Sequence, residues 1–165
     1  MNDPTQPIID AAANRFEKAF ANAQEAIARQ VEKMLDSGKA APDIARYFEN
    51  IDFNQMLDKI GYSDEAAKVS QSMLKVLEGL QTRGGLSNAT LNGLTRTFSE
   101  SFIANTVGIP AQLKTATIKG LLSGKGAAGI RKALEETFSP GQARTLADTA
   151  LQTYSRAVER EMALA

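Results

Sequence analysis

The sequence has no cysteine, no histidine and no tryptophan. Without cysteine there is no disulfide framework, and without cysteine or histidine the usual zinc ligand sets cannot form. The commonest general base of enzymes is missing, and so are the nucleophiles that histidine activates. We therefore predict a protein with no catalytic residues, no metal ligands and no cofactor. A site made of carboxylates alone stays formally open.

Long apolar runs are also missing. The longest ones extend for a few residues, far short of a membrane span. The opening residues, Met-Asn-Asp-Pro-Thr-Gln-Pro, lack the basic run and the apolar core of a secretory signal. The sequence predicts a protein without membrane contact that stays in a cytoplasm or is packaged from one.

Charge is balanced overall but unevenly spread. The chain of 165 residues holds 19 basic and 19 acidic side chains. Residues 83–134 carry seven basic residues and one acid, a net charge of +6, whereas residues 1–82 sum to −4 and residues 135–165 to −2. The basic segment fits DNA phosphate or an acidic protein face. The alternative is that the acidic N-terminal helix neutralises it within the fold or in an oligomer.

Helical periodicity runs through most of the chain, and no stretch shows the alternation of a strand. The sequence predicts an all-α fold, a multi-helix bundle with a long N-terminal helix, a long C-terminal helix and short helices between them. We expect a flexible arm at residues 1–7, an N-terminal helical part at 8–82 and a C-terminal helical part at 83–165. A hinge is predicted at 83–86, where two glycines follow an arginine.

Short local signals mark the helix ends. The predicted helix stops are Gly38 and Gly124, and the predicted N-caps are Asp52, Ser63 and Ser139. Residues 35–49 and 121–135 also match each other without a gap at Leu, Ser, Gly, Lys, Ala, Ile and Glu. A duplication and a convergence on common capping chemistry both explain this weak repeat.

The N-terminal helix carries an apolar stripe in steps of four and three. Its large members are Ile9, Phe16, Phe20 and Ile27. A narrow stripe on a long helix is typical of packing against a neighbouring chain, so these four residues are the candidate oligomer seam. The alternative is that the helix covers its own domain.

The stretch from Gly120 to Gly126 has the glycines and the lysine of a phosphate-binding loop, but their spacing differs. A P-loop has four residues between its first glycine and its Gly-Lys pair, followed by Ser or Thr, and it comes after a strand. Here Gly124 comes one position too early, Gly126 follows Lys125, and the preceding element has a helical pattern. The stretch predicts a helix stop and a turn.

Three successive motifs lie between residues 109 and 158. They are Ile118-Lys-Gly-Leu-Leu-Ser-Gly124, Ile130-Arg-Lys-Ala-Leu134 and Ala143-Arg-Thr-Leu-Ala-Asp-Thr-Ala150. Together they resemble the C-terminal helical region of phage head-morphogenesis (minor head) proteins. In the third motif Asp148 and Ala150 replace the arginine and glutamate of the family, and Tyr154 comes one place early.

The resemblance implies a non-enzymatic virion structural protein near the portal vertex, acting in head assembly or DNA passage. It would lie in the virion, and in the host cytoplasm during assembly. Its partners would be the portal or other capsid proteins, further copies of itself and, through nonspecific contact, DNA. The candidate contact residues are Lys114, Lys119, Lys125, Arg131 and Lys132. The alternative is a cellular all-helical adaptor or regulatory binding module.

Overall fold

The computed structural model describes residues 5–81, 88–106 and 108–164. These residues form eight helices and no strand. The helices are α1 (Gln6–Asp36), α2 (Ala41–Asn50), α3 (Phe53–Lys59), α4 (Tyr62–Gln81), α5 (Asn88–Thr106), α6 (Ile109–Leu122), α7 (Gly126–Thr137) and α8 (Pro140–Leu164). The predicted all-α bundle with a long first and a long last helix is confirmed. The hinge predicted at 83–86 lies outside the described residues.

Helix α1 begins earlier than the periodicity predicted. Gln6 and Pro7, which we assigned to the flexible arm, form its first turn, and Thr5 before them is buried. The Gln6 side-chain amide donates to the Asp10 carboxylate at 2.8 Å, and its oxygen accepts from Gln152 at 3.0 Å. Residues 5–7 therefore belong to the folded part, and the rest of the arm lies outside the described residues.

One predicted N-cap on the N-terminal side is confirmed and one is wrong. The Asp52 carboxylate accepts from the backbone N–H groups of Asn54 at 2.9 Å and Gln55 at 3.4 Å, which gives α3 a satisfied first turn. Ser63 does not begin α4, since this helix starts one residue before it. The Ser63 hydroxyl donates to the Asp58 carboxylate instead.

The third cap and both glycine stops are confirmed. The Ser139 hydroxyl accepts from the backbone N–H of Gln142 at 3.1 Å, and the Gln142 side chain accepts from the backbone N–H of Ser139 at 2.7 Å. This reciprocal pair is a capping box at the start of α8. Gly38 and Gly124 have φ angles of 89° and 76°, left-handed values that favour glycine after a helix.

Contacts divide the chain into two compact units, each made of segments that are distant in sequence. Unit 1 contains Met1–Glu17, Asp64–Thr106 and Ala143–Ala165, and unit 2 contains Lys18–Ser63 and Val107–Gln142. Helices α1, α4 and α8 therefore contribute residues to both units.

Aromatic side chains fill the core of unit 1. The Phe16 ring meets the Phe102 ring edge-on, with centroids 5.6 Å apart, and the Tyr154 ring meets Phe98 at 5.8 Å. The buried Tyr154 hydroxyl forms a 2.7 Å hydrogen bond with the Thr95 hydroxyl, and burial raises the pKa of Tyr154. The polar tip of this core tyrosine is therefore satisfied.

The core of unit 2 is built around Phe20 and helix α6. The Phe20 ring lies 5.1 Å from the Phe138 ring and 5.9 Å from the Tyr62 ring, and Phe48 packs on Phe53 at 5.9 Å. Helix α6 packs against α2, α3 and α7. It therefore presents several of its faces to neighbours within the unit.

Candidate partner-binding surface

Helices α6 and α7 approach each other so closely that two glycines are required at the crossing. A Cβ atom on Gly120 would lie 2.6 Å from the Ile130 Cα and 3.0 Å from the Gly129 carbonyl oxygen. A Cβ atom on Gly129 would lie 2.7 Å from the Ser123 hydroxyl. Because the obstacle at Gly120 is backbone, the tight hairpin requires glycine there, whereas at Gly129 a larger residue would have to displace the Ser123 side chain.

The turn of the hairpin is closed by hydrogen bonds. The Ser123 hydroxyl donates to the Gly120 carbonyl at 2.6 Å and accepts from the backbone N–H of Lys125 at 3.4 Å. Gly124 and Gly126 both have positive φ angles, 76° and 63°. The glycine-rich stretch is thus a helix stop and a turn, as its spacing predicted.

Arg131 is paired within unit 2. Its guanidinium forms hydrogen bonds of 2.9 and 3.1 Å to the two carboxylate oxygens of Glu25, and it lies 3.6 Å from the Glu32 carboxylate. The hydrogen bond from Arg131 holds the pKa of Glu25 below its usual value. Both acids belong to α1, so the predicted neutralisation by the acidic N-terminal helix holds for Arg131.

Lys114 is committed to the end of another helix. Its ammonium group donates to the Glu49 carbonyl at 2.6 Å and to the Ile51 carbonyl at 3.4 Å. These carbonyls end α2, where the helix dipole favours a positive charge. Lys114 therefore holds α2 against α6, and its charge is directed at the protein's own backbone.

The remaining three candidates, Lys119, Lys125 and Lys132, are exposed. Within the described part of the chain Lys119 and Lys125 have no ion pair, and Lys132 has one at 3.9 Å to Glu136, with both side chains about two-thirds exposed. Leu122, one turn after Lys119 on the same face of α6, is 64% exposed. We call Lys119, Leu122, Lys125 and Lys132 the hairpin surface.

The candidate oligomer seam is buried inside the single chain. Ile9, Phe16, Phe20 and Ile27 are at most 1% exposed. A side chain with no accessible surface cannot contact a neighbouring molecule without unfolding. The seam interpretation is therefore corrected in favour of its alternative, a helix that covers its own fold, because these four side chains are core.

A buried glutamine at the other end of α7 was not singled out from the sequence. Gln24 is 8% exposed, and its side-chain amide donates to the Phe138 carbonyl at 2.6 Å and the Leu134 carbonyl at 3.4 Å. It satisfies carbonyls that the end of α7 leaves open. The signal was present in the pattern, because Gln24 falls between Phe20 and Ile27 at the spacing of the apolar stripe.

No acidic cluster of the kind that holds a metal ion occurs in the part of the chain that the structure describes. Among the same residues, no helix combines the length and the apolar character needed to cross a membrane. The hairpin offers three exposed lysines and one exposed leucine as contact area.

Comparisons with known proteins do not extend this description. No family model, no curated protein and no solved structure matches the chain. The fold and the hairpin surface define an all-α multi-helix bundle with an exposed basic-apolar surface. The resemblance of residues 109–158 to phage minor head proteins stays a prediction.

Proposed function

We propose that this chain is a non-enzymatic structural protein of a phage virion, a minor head component at the portal vertex. It acts in head assembly or DNA passage through protein–protein contacts. The motifs of residues 109–158 support this proposal, and so does one observation in the same stretch. In the α6–α7 hairpin, Leu122 is 64% exposed and lies one turn from Lys119, which has no ion pair among the described residues.

An acidic protein surface fits the hairpin surface better than DNA does. A large exposed apolar side chain surrounded by charges is typical of a protein contact, where the apolar anchor is desolvated and the charges orient the partner. The intramolecular contacts of Lys114 and Arg131 leave three cations for phosphate. With three phosphate contacts, the logarithm of the DNA-binding constant falls with the logarithm of the salt concentration with a slope of only about −2.7. So few contacts give weak DNA binding at physiological salt.

The decisive experiment is mass spectrometry of purified virions together with capture of the portal protein of the same phage. We expect the protein in the particles at a fixed ratio to the portal. Leu122→Asp and Lys119→Glu should each weaken portal capture about tenfold, since they remove the anchor and reverse a rim charge. Leu164→Asp is the matched control, because Leu164 is 76% exposed at the end of α8, outside the hairpin.

Two outcomes would overturn the proposal. Absence of the protein from purified particles, with abundant protein in the host lysate, would favour the cellular adaptor. A mobility shift of nonspecific DNA at low salt, lost in Lys119→Glu, would move the contact from protein to DNA. Self-association is tested by light scattering of the unmodified chain, because substitutions in the buried stripe of α1 would disturb folding.

A further inference from the structure

Unit 1 contains an open groove of about 560 Å³ between the first turns of α1 and the middle of α4. The α1 wall is apolar at Ile8 and Ala11 and ends at Arg15, whereas the α4 wall is polar and includes Lys68, Gln71 and Lys75. Each wall is a single helix face, because its residues recur at spacings of three and four. The groove is thus apolar along the first turns of α1 and cationic along α4 and at Arg15.

Among the described residues, the cations of the groove outnumber the acid that pairs with them. Arg15 and Lys68 share one carboxylate, that of Glu65, at 2.6 and 3.1 Å. Lys75 has no ion pair among the described residues, and it is exposed. In the described part of the groove, three cations and one acid sum to +2 beside the apolar residues. An occupant of complementary chemistry is therefore apolar on one face and acidic on the other.

We propose that this α1–α4 groove binds an amphipathic acidic helix of a partner protein. Its apolar face packs on Ile8 and Ala11, and its carboxylates pair with Lys68 and Lys75. These lysines are seven residues, or about 10 Å, apart along α4. The matching helix therefore carries two acids two turns apart on one face and apolar residues on the face beside it.

The test uses the full chain and a defined probe. The probe is a fluorescein-labelled, stapled helix of about four turns with two glutamates two turns apart on one face and leucines on the neighbouring face. We expect saturable binding by fluorescence anisotropy that weakens as salt is raised. Lys75→Glu should weaken it about tenfold, because a like charge replaces an attractive one. Ala11→Trp should abolish it by filling the groove.

Four controls separate this proposal from its rivals and from the proposed function. Lys119→Glu, which alters the hairpin surface of unit 2, should leave probe binding unchanged, and circular dichroism should show that each variant is folded. Equal binding by wild type and Lys75→Glu, or by a probe with lysines in place of its glutamates, overturns the proposal. Binding to phosphatidylserine vesicles but not to the acidic probe overturns it in favour of a lipid surface.

Discussion

Gly120 shows how little room a tight helix crossing leaves at one residue. A methyl group there would meet the backbone of Ile130 at 2.6 Å, and a backbone cannot rotate away as the end of a side chain can. Gly93, inside α5, has no atom within 4 Å of an added Cβ. Both glycines lie inside an α-helix, but an added side chain would clash with backbone at Gly120 and would enter open space at Gly93.

We therefore predict opposite effects of the same substitution. Gly120→Ala should lower the free energy of unfolding by about 2 kcal/mol, because the hairpin must open to admit the methyl group. Gly93→Ala should raise it by about 0.5–1 kcal/mol, because alanine favours the helix and finds open space. Urea unfolding followed by circular dichroism measures both. A change of the same sign in both variants would contradict the crossing geometry.

The Arg15–Glu65 ion pair makes part of the stability depend on pH. Hydrogen bonds from Arg15, and a further one from Lys68, lower the pKa of Glu65 from 4.5 to about 2. A carboxyl group whose pKa is lower in the folded state stabilises the fold above its unfolded pKa. That contribution is lost as the pH falls through the folded value.

Glu65→Gln should therefore be less stable than the wild type at pH 7, and the difference should shrink between about pH 4.5 and 2. The effect is small, since the Arg15 side chain is 58% exposed and solvent screens the pair. Thermal unfolding of both proteins from pH 7 to 2 measures it. Glu136→Gln is the control, because Glu136 is 63% exposed. A stability difference that does not vary with pH would show that Glu65 acts by packing instead.

At the C-termini of α2 and α7, backbone carbonyls accept hydrogen bonds from a side chain of another helix. Lys114 of α6 binds carbonyls at the end of α2, and Gln24 of α1 binds carbonyls at the end of α7. Both contacts satisfy groups that a helix cannot satisfy itself. The end of each short helix is thus fixed by a polar contact with a longer one.

Because Lys114 caps α2, we expect substitutions of two lysines of α6 to differ in their effect on the free energy of unfolding. Lys114→Met should lower the free energy of unfolding by about 1–2 kcal/mol, because two carbonyls lose a charged donor. Lys119→Met should be nearly neutral, since Lys119 is exposed and has no ion pair in the part of the chain described. Chemical denaturation of both variants provides the comparison. Equal losses would mean that Lys114 does not cap α2 in solution.

At the scale of the whole molecule, the apolar stripe of α1 is buried, so a substitution in this stripe tests the stability of the fold and not self-association. Phe20 is fully buried and packs on two aromatic rings, so Phe20→Asp places a charge in the core. We expect loss of helical circular dichroism and of the cooperative unfolding transition. A variant that stays helical while its mass in light scattering drops to that of a smaller assembly would restore the oligomer seam.

Much of the fold followed from local patterns. The stops at Gly38 and Gly124 and the caps at Asp52 and Ser139 were predictable, because each signal acts within a few residues of itself. The N-cap predicted at Ser63 was wrong, because the Ser63 hydroxyl donates to Asp58 of the preceding helix and not to the start of α4. A capping residue is recognised by type, whereas the partner it selects depends on the path of the chain.

The hairpin surface was predicted only in part. Five basic residues in one segment look equivalent in the sequence, yet the structure separates them. Arg131 pairs with Glu25 across 106 positions and Lys114 binds carbonyls 63 and 65 positions away, whereas Lys119 and Lys125 find no acid among the described residues. The exposure of Leu122 was likewise hidden, because an apolar residue in a helical pattern is usually assigned to the core.

Helix content, most helix ends and the uneven charge follow from the order of residues, since periodicity and capping are short-range effects. Which apolar stripe is core, which cations stay free and which helices meet at Gly120 depend on contacts between segments far apart in the chain. Those contacts form only when the helices pack, and packing selects among partners that the sequence presents as equal. The same stripe of α1 could have faced another chain, and the tertiary structure buries it.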